Sequence, residues 1–338
     1  MKDPIEISTS TLLKTTAIIL IVWLLFLIKE VLVILFISII IVSALEPLVN
    51  NLELKKVPRV VSAVLIYLIF FSFVLFCFYL IIPVLIFELK QLGENLPDYF
   101  GNINGFLIDL NNMALNANFQ IDLETLIGNI SEKITEIISQ LFSNSFGFLA
   151  NLFKGLIVFA LAFYMIVKKD GIRGFLEFVL PDQHKAYAID LTRRIQNKMG
   201  GWLIGQLSIA FLIFALEFLV LSLLGVPYAL LIAMVGGFFE IIPYIGPFIA
   251  FIPAVLIALT ISPWTAVLVG ILYIVIQQIE HHILTPLIMK KAVGLDPVVI
   301  IAALITGASL LGVIGMLIAI PFATALSVFV KDLQKKKT

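Results

Sequence analysis

Long, nearly uninterrupted apolar runs dominate the hydrophobic pattern of this chain. Six of these runs span residues 12–28, 31–49, 60–87, 146–167, 202–224 and 263–288. Each is close to, or above, the roughly 20 residues that a helix needs to cross about 30 Å of hydrocarbon. A barrel strand would alternate polar and apolar residues, and only helices and closed barrels satisfy their backbone hydrogen bonds in lipid. The pattern therefore predicts an all-α, polytopic integral membrane protein.

The N-terminal run resembles the apolar part of a secretory signal peptide, because Lys2 and Lys14 precede it. No small-x-small cleavage pattern follows the run, as a signal peptide would require. The chain instead passes through Lys29 and Glu30 directly into the second run. We therefore expect the first two runs to be retained as a helical hairpin.

Two polar segments between the runs differ in charge. Residues 88–145 contain eight acidic and two basic residues, whereas residues 168–198 and the tail at 331–337 are rich in Lys and Arg. Because cytoplasmic loops are enriched in Lys and Arg, we expect both termini in the cytoplasm and the acidic segment outside. Within that segment, residues 121–141 have apolar positions at helical spacing. This spacing predicts an amphipathic helix that lies on the membrane or on a neighbouring subunit.

The composition agrees with a membrane protein and excludes several other classes. Hydrophobic residues make up 61% of the chain and charged residues 13%, against about 45–50% and 25% in soluble domains. The formal net charge is zero, so no nucleic-acid partner is expected. The sole cysteine, Cys77, lies in an apolar run and cannot form an intrachain disulfide or a cysteine-based metal centre.

These patterns divide the chain into five regions. They are an N-terminal helical scaffold (1–87), an acidic extracytoplasmic helical segment (88–145), a transmembrane helix with a basic cytoplasmic segment (146–200), a C-terminal transport region with broken helices (201–330) and a basic cytoplasmic tail (331–338).

The transport region contains two interrupted apolar stretches, and the first is broken by prolines. Residues 229–240 and 248–260 would each form a helix of about 18–20 Å, which is too short to cross a bilayer alone. Pro243, Gly246 and Pro247 lie between them. The prolines remove backbone donors and the glycine permits a non-helical turn. Broken helices at membrane depth line cavities or substrate sites in transporters.

The second interrupted stretch, residues 298–330, contains a cluster of Gly307, Gly312 and Gly315. Each stretch can form one kinked span, which gives eight spans and places Lys290 outside. Alternatively each can form a re-entrant hairpin, which leaves six full spans and places Lys290 in the cytoplasm. The enrichment of Lys and Arg in cytoplasmic loops favours the hairpins.

Glu240 is the strongest candidate for a binding residue, because it directly precedes the proline break in an otherwise uncharged stretch. A charge at the bilayer centre costs a few kcal/mol, so it normally faces a cavity or a partner. Glu217 and Glu46 have the same chemistry but lie near predicted span ends or packing faces, where a structural role is expected.

A second group of polar residues covers an arc of about 200° on the last full span, at 100° per residue. It comprises Gln277, Gln278, Glu280, His281, His282 and Thr285. Such a face has to line a protein or water interior, or lie at the membrane interface. The full set of candidate substrate- or ion-binding residues is Glu240, Pro243, Gly246, Pro247, Gln277, Gln278, Glu280, His281, His282, Thr285, Gly307, Gly312 and Gly315.

Sequence signatures of catalysis are absent. The order Glu280-His281-His282 does not match the H-E-x-x-H zinc motif, and no G-x-x-x-x-G-K-[ST] phosphate loop or G-x-S-x-G elbow occurs. The sequence therefore predicts neither an enzyme nor direct ATP hydrolysis, and no cofactor or metal.

Several C-terminal motifs resemble those of the autoinducer-2 exporter (AI-2E) family of transporters. They are Pro243-Tyr244-Ile245-Gly246-Pro247, Ile252-Pro253-Ala254, the run from Gln277 to Pro286, Gly294-Leu295-Asp296-Pro297, and Gly312-Val313-Ile314-Gly315-Met316 with Pro321. The resemblance covers essentially the whole chain, and His281 departs from it, because the family often has glycine there. It implies an oligomeric inner-membrane transporter that exports a small signalling furanone or exchanges sodium for protons.

Three functions are compatible with these observations. The first is a secondary transporter that moves a small solute or an ion by alternating access. The second is a channel, and the third is a non-transporting scaffold whose acidic segment binds a partner. The expected partners are the transported solute or ion, membrane lipid and other copies of the chain.

Overall fold

The computed structural model describes residues 9–115, 145–168, 171–289 and 294–335. In chain order the described helices are α1 (Thr9–Leu27), α2 (Lys29–Leu54), α3 (Arg59–Leu115), α4 (Ser145–Val167), α5 (Gly171–Val179), α6 (Asp182–Leu223), α7 (Ala229–Phe239), α8 (Gly246–Ile261), α9 (Pro263–Ile279), α10 (Thr285–Met289) and α11 (Pro297–Lys335). A single π-helical turn, Glu280–Leu284, joins α9 to α10.

Within the part of the chain that the structure describes, five helical segments are long and apolar enough to cross a membrane. They are Lys29–Leu54, Arg59–Leu92, Asp182–Leu223, Pro263–Met289 and Pro297–Gln334. Shorter apolar helices accompany them, and large apolar side chains such as Phe73 and Tyr79 are more than 60% exposed. So much exposed apolar surface is typical of a chain that faces lipid rather than water. The predicted all-α, polytopic membrane fold is confirmed.

The N-terminal helices do not form the expected hairpin. Helical hydrogen bonds run across their junction, from Ile28 N to Leu24 O (3.0 Å) and from Leu32 N to Ile28 O (3.1 Å). The described side chains of α1 from residue 13 onward are exposed, so α1 does not pack along α2. The prediction was wrong because neither Gly nor Pro separates the two apolar runs, and the helix continues through a bend at Ile28.

Helix α3 is longer than the predicted span. It contains 57 residues, which corresponds to about 85 Å at 1.5 Å per residue. Its apolar part ends near Leu92, and the helix continues into the acidic segment as far as Leu115. The amphipathic helix expected at 121–141 lies outside the described residues.

Helix α6 also begins earlier than predicted, at Asp182 rather than near residue 202. Because its 42 residues run along the bundle, its two ends serve to name the two ends of the bundle. At the first end, Arg59 Nε donates to Ile166 O at 2.7 Å, and Arg194 binds Asp332 through two hydrogen bonds. We call this the basic end. At the opposite end, Leu92 of α3 packs with Leu221 in a buried apolar cluster.

Helices α7 and α8 form what we call the first hairpin. Many of the buried residues of the two arms are small, which allows close packing. They include Ala229, Ala233, Ala250, Ala254 and Ala258. At the tip, Tyr244 adopts a positive φ of 69°. A Cβ atom at Gly246 would lie 2.5 Å from the carbonyl oxygen of Phe239, so only glycine fits where the chain returns.

Helix α11 contains the second hairpin, which reverses at Gly312. This residue has φ 62° and ψ −141° inside the helix, a conformation that is essentially restricted to glycine. A Cβ atom at Gly315 would overlap the carbonyl oxygen of Gly307, and the converse also holds. In a continuous helix these two residues would be about 12 Å apart, so the arms fold back and cross at the two glycines.

Both interrupted stretches are therefore hairpins rather than single kinked spans. Their directions are opposite. The first hairpin begins beside Tyr228 and Leu92 at the opposite end, whereas the second returns to the basic end, where Asp332 meets Arg194. Both tips point toward the middle of the bundle.

Candidate functional site

Three buried carboxyl groups lie together near the tip of the first hairpin. Glu217 comes from the middle of α6, Glu240 follows the last residue of α7, and Glu280 opens the π-helical turn. Their exposed fractions are 0%, 1% and 6%. Each of the three interacts electrostatically with at least one of the others.

The carboxyl oxygens of this cluster have few hydrogen-bond partners. Among the described residues, neither oxygen of Glu217 or Glu240 makes a hydrogen bond, nor does Oε2 of Glu280. The Tyr273 hydroxyl and Gln277 Nε2 are also buried without a bond of hydrogen-bond geometry, although Tyr273 lies beside Glu217 and Gln277 beside Glu280. Buried polar groups in this state cost free energy, and intramembrane carboxyls mark ion or substrate pathways. A bound polar solute, a cation or protons would compensate this cost.

Two adjacent glycines of α7 determine the position of Glu217. A Cβ atom at Gly236 would overlap the Glu217 carboxyl group, and one at Gly237 would lie 2.9 Å from Ala210 O. The glycine pair therefore lets α7 pack directly on the backbone of α6. The Glu217 side chain occupies the space that a side chain at position 236 would fill.

Glu240 is held at its position by α6. Gln206 Nε2 donates a hydrogen bond of 2.6 Å to the backbone carbonyl of Glu240, which satisfies a carbonyl that the end of α7 leaves without a helical partner. The Gln206 side chain is itself only 3% exposed. This contact fixes the hairpin tip against α6 while the Glu240 carboxyl stays directed at Glu280.

The π-helical turn places Glu280 in the cluster. Pro286 has no N–H group and cannot donate to the carbonyl four residues earlier, which favours a local departure from α-geometry. Single π-helical turns of this kind occur often at functional sites. Here the turn coincides with residues 280–284 and directs the Glu280 carboxyl inward.

A cavity of about 280 Å³ adjoins the carboxyl cluster on the side of the basic end. Its walls are Trp202, Gln206, Ile209, Pro243, Tyr244, Glu280, His281, Thr285, Pro286, Met289, Gly294, Leu295, Ile300 and Ile320. They come from α6, the tip of the first hairpin, the π-helical turn, α10, the segment before α11 and both arms of the second hairpin. Elements far apart in the chain thus contribute to one chamber.

The structure separates the predicted polar arc into two parts. Glu280, His281 and Thr285 line the cavity, whereas Gln278 and His282 are exposed on the outer side of the helix. The His281 ring packs near the Tyr244 ring, with centroids 5.7 Å apart.

The other predicted site residues lie at the two hairpins. Pro243 lines the cavity, while Gly246 and Pro247 are buried at the hairpin tip. Gly307, Gly312 and Gly315 shape the second hairpin, and none of them is among the cavity-lining residues.

Sequence reasoning missed several members of the site. Gln206 and Tyr273 were not singled out, and Glu217 was given a mainly structural interpretation. A signal was present, because Gln206 and Glu217 are polar residues within the apolar run of α6 and lie 11 residues apart, about three helical turns. Among the described residues, no group of three His, Cys, Asp or Glu side chains is arranged to hold a metal ion.

The structure thus combines a multi-span helical membrane fold with two opposed hairpins and a buried polar chamber. The chain belongs to the AI-2E family of transporters. The sequence profile described as "AI-2E family transporter" matches residues 13–335.

Curated relatives carry names of the same kind. The chain is 28% identical to YrrI of Bacillus subtilis (strain 168), covering 92% of this chain and 89% of YrrI. It is 29% identical to YueF of the same organism over 84% and 79% of the two chains, and 24% identical to a Haemophilus influenzae protein over 94% and 91%. All three are named as candidate transport proteins.

Proposed function

We propose that this protein is a secondary transporter that exports a small polar solute, of the kind represented by autoinducer-2, by alternating access. The observation that carries the proposal is the group of three buried carboxyls at the hairpin tip, next to a cavity with a mixed polar and apolar wall. Glu240 and Glu280 are the residues we assign to substrate contact.

The chemistry of the cavity suits a polyhydroxylated solute. Carboxylate oxygens accept hydrogen bonds from hydroxyl groups, and such charge-assisted bonds are among the stronger ones. Gln206 and Thr285 can both donate and accept hydrogen bonds, while Trp202 supplies an apolar wall. A volume of about 280 Å³ is at the lower end of the range for small-molecule pockets, so the substrate is expected to be small.

The opposed hairpins supply a route to alternating access. One hairpin tip and both arms of the other contribute to the same chamber, and they approach it from opposite ends of the bundle. A displacement of either hairpin against α6 would change which end has access to the cavity. Discontinuous helices that meet near the membrane midplane work in this way in other transporters.

Cation–proton antiport is the second candidate, and the carboxyl cluster itself favours it. Three neighbouring carboxyls without hydrogen bonds cannot all be ionised at low cost. They could instead hold protons or one cation in exchange. The two candidates use the same residues and differ in the transported species.

We further propose that the protein lies in the cell membrane with both termini in the cytoplasm and assembles as a homo-oligomer. The basic residues at one end of the bundle support the orientation. The exposed apolar faces of α2 and α3 offer surface for other copies as well as for lipid.

The test uses purified protein in proteoliposomes. Wild type is expected to show saturable counterflow of autoinducer-2, and Glu240→Gln is expected to reduce it to background while remaining folded. Asp182→Asn is the matched control, because the Asp182 side chain is 96% exposed and pairs only with Lys185 among the ion pairs of the described residues.

Sodium-driven proton movement that is lost in Glu240→Gln, without counterflow of autoinducer-2, would replace the first candidate by the second. Full activity of Glu240→Gln in both assays would refute both. Ohmic, unsaturating currents through the wild type would instead identify a channel.

A further inference from the structure

A second cavity lies at the basic end of the bundle, away from the carboxyl cluster. It encloses about 490 Å³ between α2, the end of α4, α5 and the N-terminal half of α6. Among the described residues that line it, Lys168, Arg173 and Arg193 are cationic and Glu46 is acidic. Arg173 is paired with Glu177 outside the cavity, at 2.8 Å, so Lys168 and Arg193 are the cations on which the site depends. The cavity therefore has an excess of positive charge.

The carboxylate of Glu46 has a cationic neighbour outside the cavity. Its Oε1 lies 3.5 Å from the Arg59 guanidinium, which is shared with Glu53 at 3.1 Å, so the charge of Glu46 is offset only in part. The same guanidinium donates to Asn50 Oδ1 at 2.8 Å, so the remaining hydrogen-bonding atom of Asn50 is its donor Nδ2. Thr192 adds a hydroxyl group to the wall. A wall of cations and donors favours an anion, and Arg is well suited to phosphate oxygens.

Helix α5 places this cavity at the surface of the membrane. It follows directly after α4, whose apolar sequence ends at Val167, and it carries Phe178 and Val179 with exposed fractions of 89% and 55%. Leu176 of the same helix lines the cavity together with Met165 and Val42. A short helix with exposed apolar residues beside basic ones is typical of an element at the lipid–water interface.

A direct contact between α2 and α6 separates this cavity from the carboxyl chamber. A Cβ atom at Gly200 would overlap the carbonyl oxygen of Ser43, so the two backbones touch. Met199 and Trp202 beside the contact are 1% and 2% exposed, and they fill the space between α6 and its neighbours. The basic cavity is therefore a different compartment from the chamber that contains Glu280.

We propose that this cavity binds a phosphate group, namely that of an anionic phospholipid in the surrounding membrane. Lys168 and Arg193 contact the phosphate oxygens, while the apolar lining from Val42, Met165 and Leu176 receives the first part of the lipid. Basic pockets between membrane helices are known sites for such headgroups. Because the cavity joins α2 and α4 to α6, an occupied site ties the N-terminal helices to the helix that carries Glu217.

The experiment measures lipid retention by native mass spectrometry of the purified full chain. Phosphatidylglycerol is compared with phosphatidylcholine at equal concentrations in detergent. Wild type is expected to retain phosphatidylglycerol selectively, and Lys168→Gln/Arg193→Gln is expected to lose at least about tenfold in apparent affinity, since two charge-assisted contacts are removed. The double variant Lys168→Arg/Arg193→Lys keeps both charges and is expected to retain most of the affinity.

The control removes two positive charges elsewhere at the same end, in Lys55→Gln/Lys185→Gln. Both lysines lie outside the cavity lining, so this variant is expected to stay within twofold of wild type. A separate arm adds inorganic phosphate alone and follows thermal stability. Stabilisation by phosphate without selective lipid retention would show that the site takes soluble phosphate rather than a lipid. An equal loss in the control and cavity variants, or no selectivity in wild type, would overturn the proposal.

Discussion

The two hairpins of this protein have the same overall shape but differ in how they pack against the rest of the bundle. The first hairpin is packed on both arms between α6 and α9, and its tip carries Glu240. The second is packed mainly along its returning arm, because Leu304 is the only buried residue of its outgoing arm, residues 297–311. The first is thus part of the core and the second is attached at its edge.

This difference in packing suggests that the two hairpins have different roles. The first hairpin carries the Glu240 carboxyl group and is held against α6 by the hydrogen bond from Gln206. The arms of the second hairpin contribute only apolar side chains, Ile300 and Ile320, to the cavity wall. An element that closes a chamber without binding its contents needs few fixed contacts and can move at low cost. We therefore expect the second hairpin to act as the gate of the proposed transporter and the first to act as the binding element.

The largest expected effect comes from the crossing of the second hairpin, in Gly315→Leu. The new side chain would meet the backbone carbonyl of Gly307, and backbone cannot move aside as a side chain can. The hairpin arms would have to separate, at a cost of about 3 kcal/mol or more. Detergent-solubilised protein is expected to melt at a much lower temperature or to aggregate.

Gly155→Leu is the matched control for this change, because nothing lies within 4 Å of the Cβ position at Gly155 in α4. It makes the same substitution in an apolar helix and is expected to leave stability nearly unchanged. Equal stability of the Gly315 and Gly155 variants would contradict the close crossing of the arms.

The next largest effect concerns the first hairpin and is expected in transport rather than in stability. Glu217→Gln preserves the shape of the side chain but removes a buried acid that makes no hydrogen bond among the described residues. Because an isolated buried charge is unfavourable, the variant is expected to be at least as stable as wild type. We expect its transport to fall by about tenfold or more, since a partner of Glu240 and Glu280 has changed.

Thermal melting and counterflow measured on the same preparation check this prediction, with Asp182→Asn again as control. A Glu217→Gln protein that transports normally would remove Glu217 from the site. A protein that loses both stability and transport would assign Glu217 a structural role.

Much of the fold could be predicted from the sequence because it depends on local and one-dimensional signals. Runs of about 20 apolar residues predict the spans, and Pro243, Gly246 and Pro247 predict the break in the first hairpin. The hairpin prediction for α1 and α2 failed because charged residues alone, here Lys29 and Glu30, do not stop a helix. The length of α6 was missed because hydropathy identifies the buried part of a helix and not its beginning.

The site was predictable only in part because it is assembled from residues far apart in the chain. Glu240 was identified, since an acid before a proline break is a local signal. Gln206 acquires its role only through the carbonyl of Glu240, 34 positions later. The separation of His281 from His282 also depends on which side of α9 faces the chamber. Packing decides both, and a single sequence contains no direct record of packing.

A smaller effect is expected from Gly312→Ala at the turn of the second hairpin. No atom lies within 4 Å of the Cβ position at Gly312, so only the positive φ of 62° opposes the substitution. This strain costs about 1–3 kcal/mol, less than the clash at Gly315. Gly174→Ala is the control, because its Cβ position is also open and no positive φ is recorded there. If Gly312→Ala melted at the wild-type temperature, the chain reversal would have to lie elsewhere.

The smallest predicted effect concerns the base of the first hairpin, where Glu88 of α3 accepts a hydrogen bond of 2.8 Å from Leu231 N. Leu231 is the third residue of α7, and its N–H group is one of those that a helix start leaves without a partner. The residue before α7, Tyr228, makes no side-chain cap, so Glu88 performs this role from another helix. Glu88→Ala is expected to lower the free energy of unfolding by about 1 kcal/mol, and Glu30→Ala is the control, since Glu30 forms an exposed ion pair with Lys154.

If the cap also holds the first hairpin still while the second moves, amide exchange in α7 will rise in Glu88→Ala and stay unchanged in α11. Increased exchange in both hairpins would mean that they are coupled, and the division between binding element and gate would be wrong.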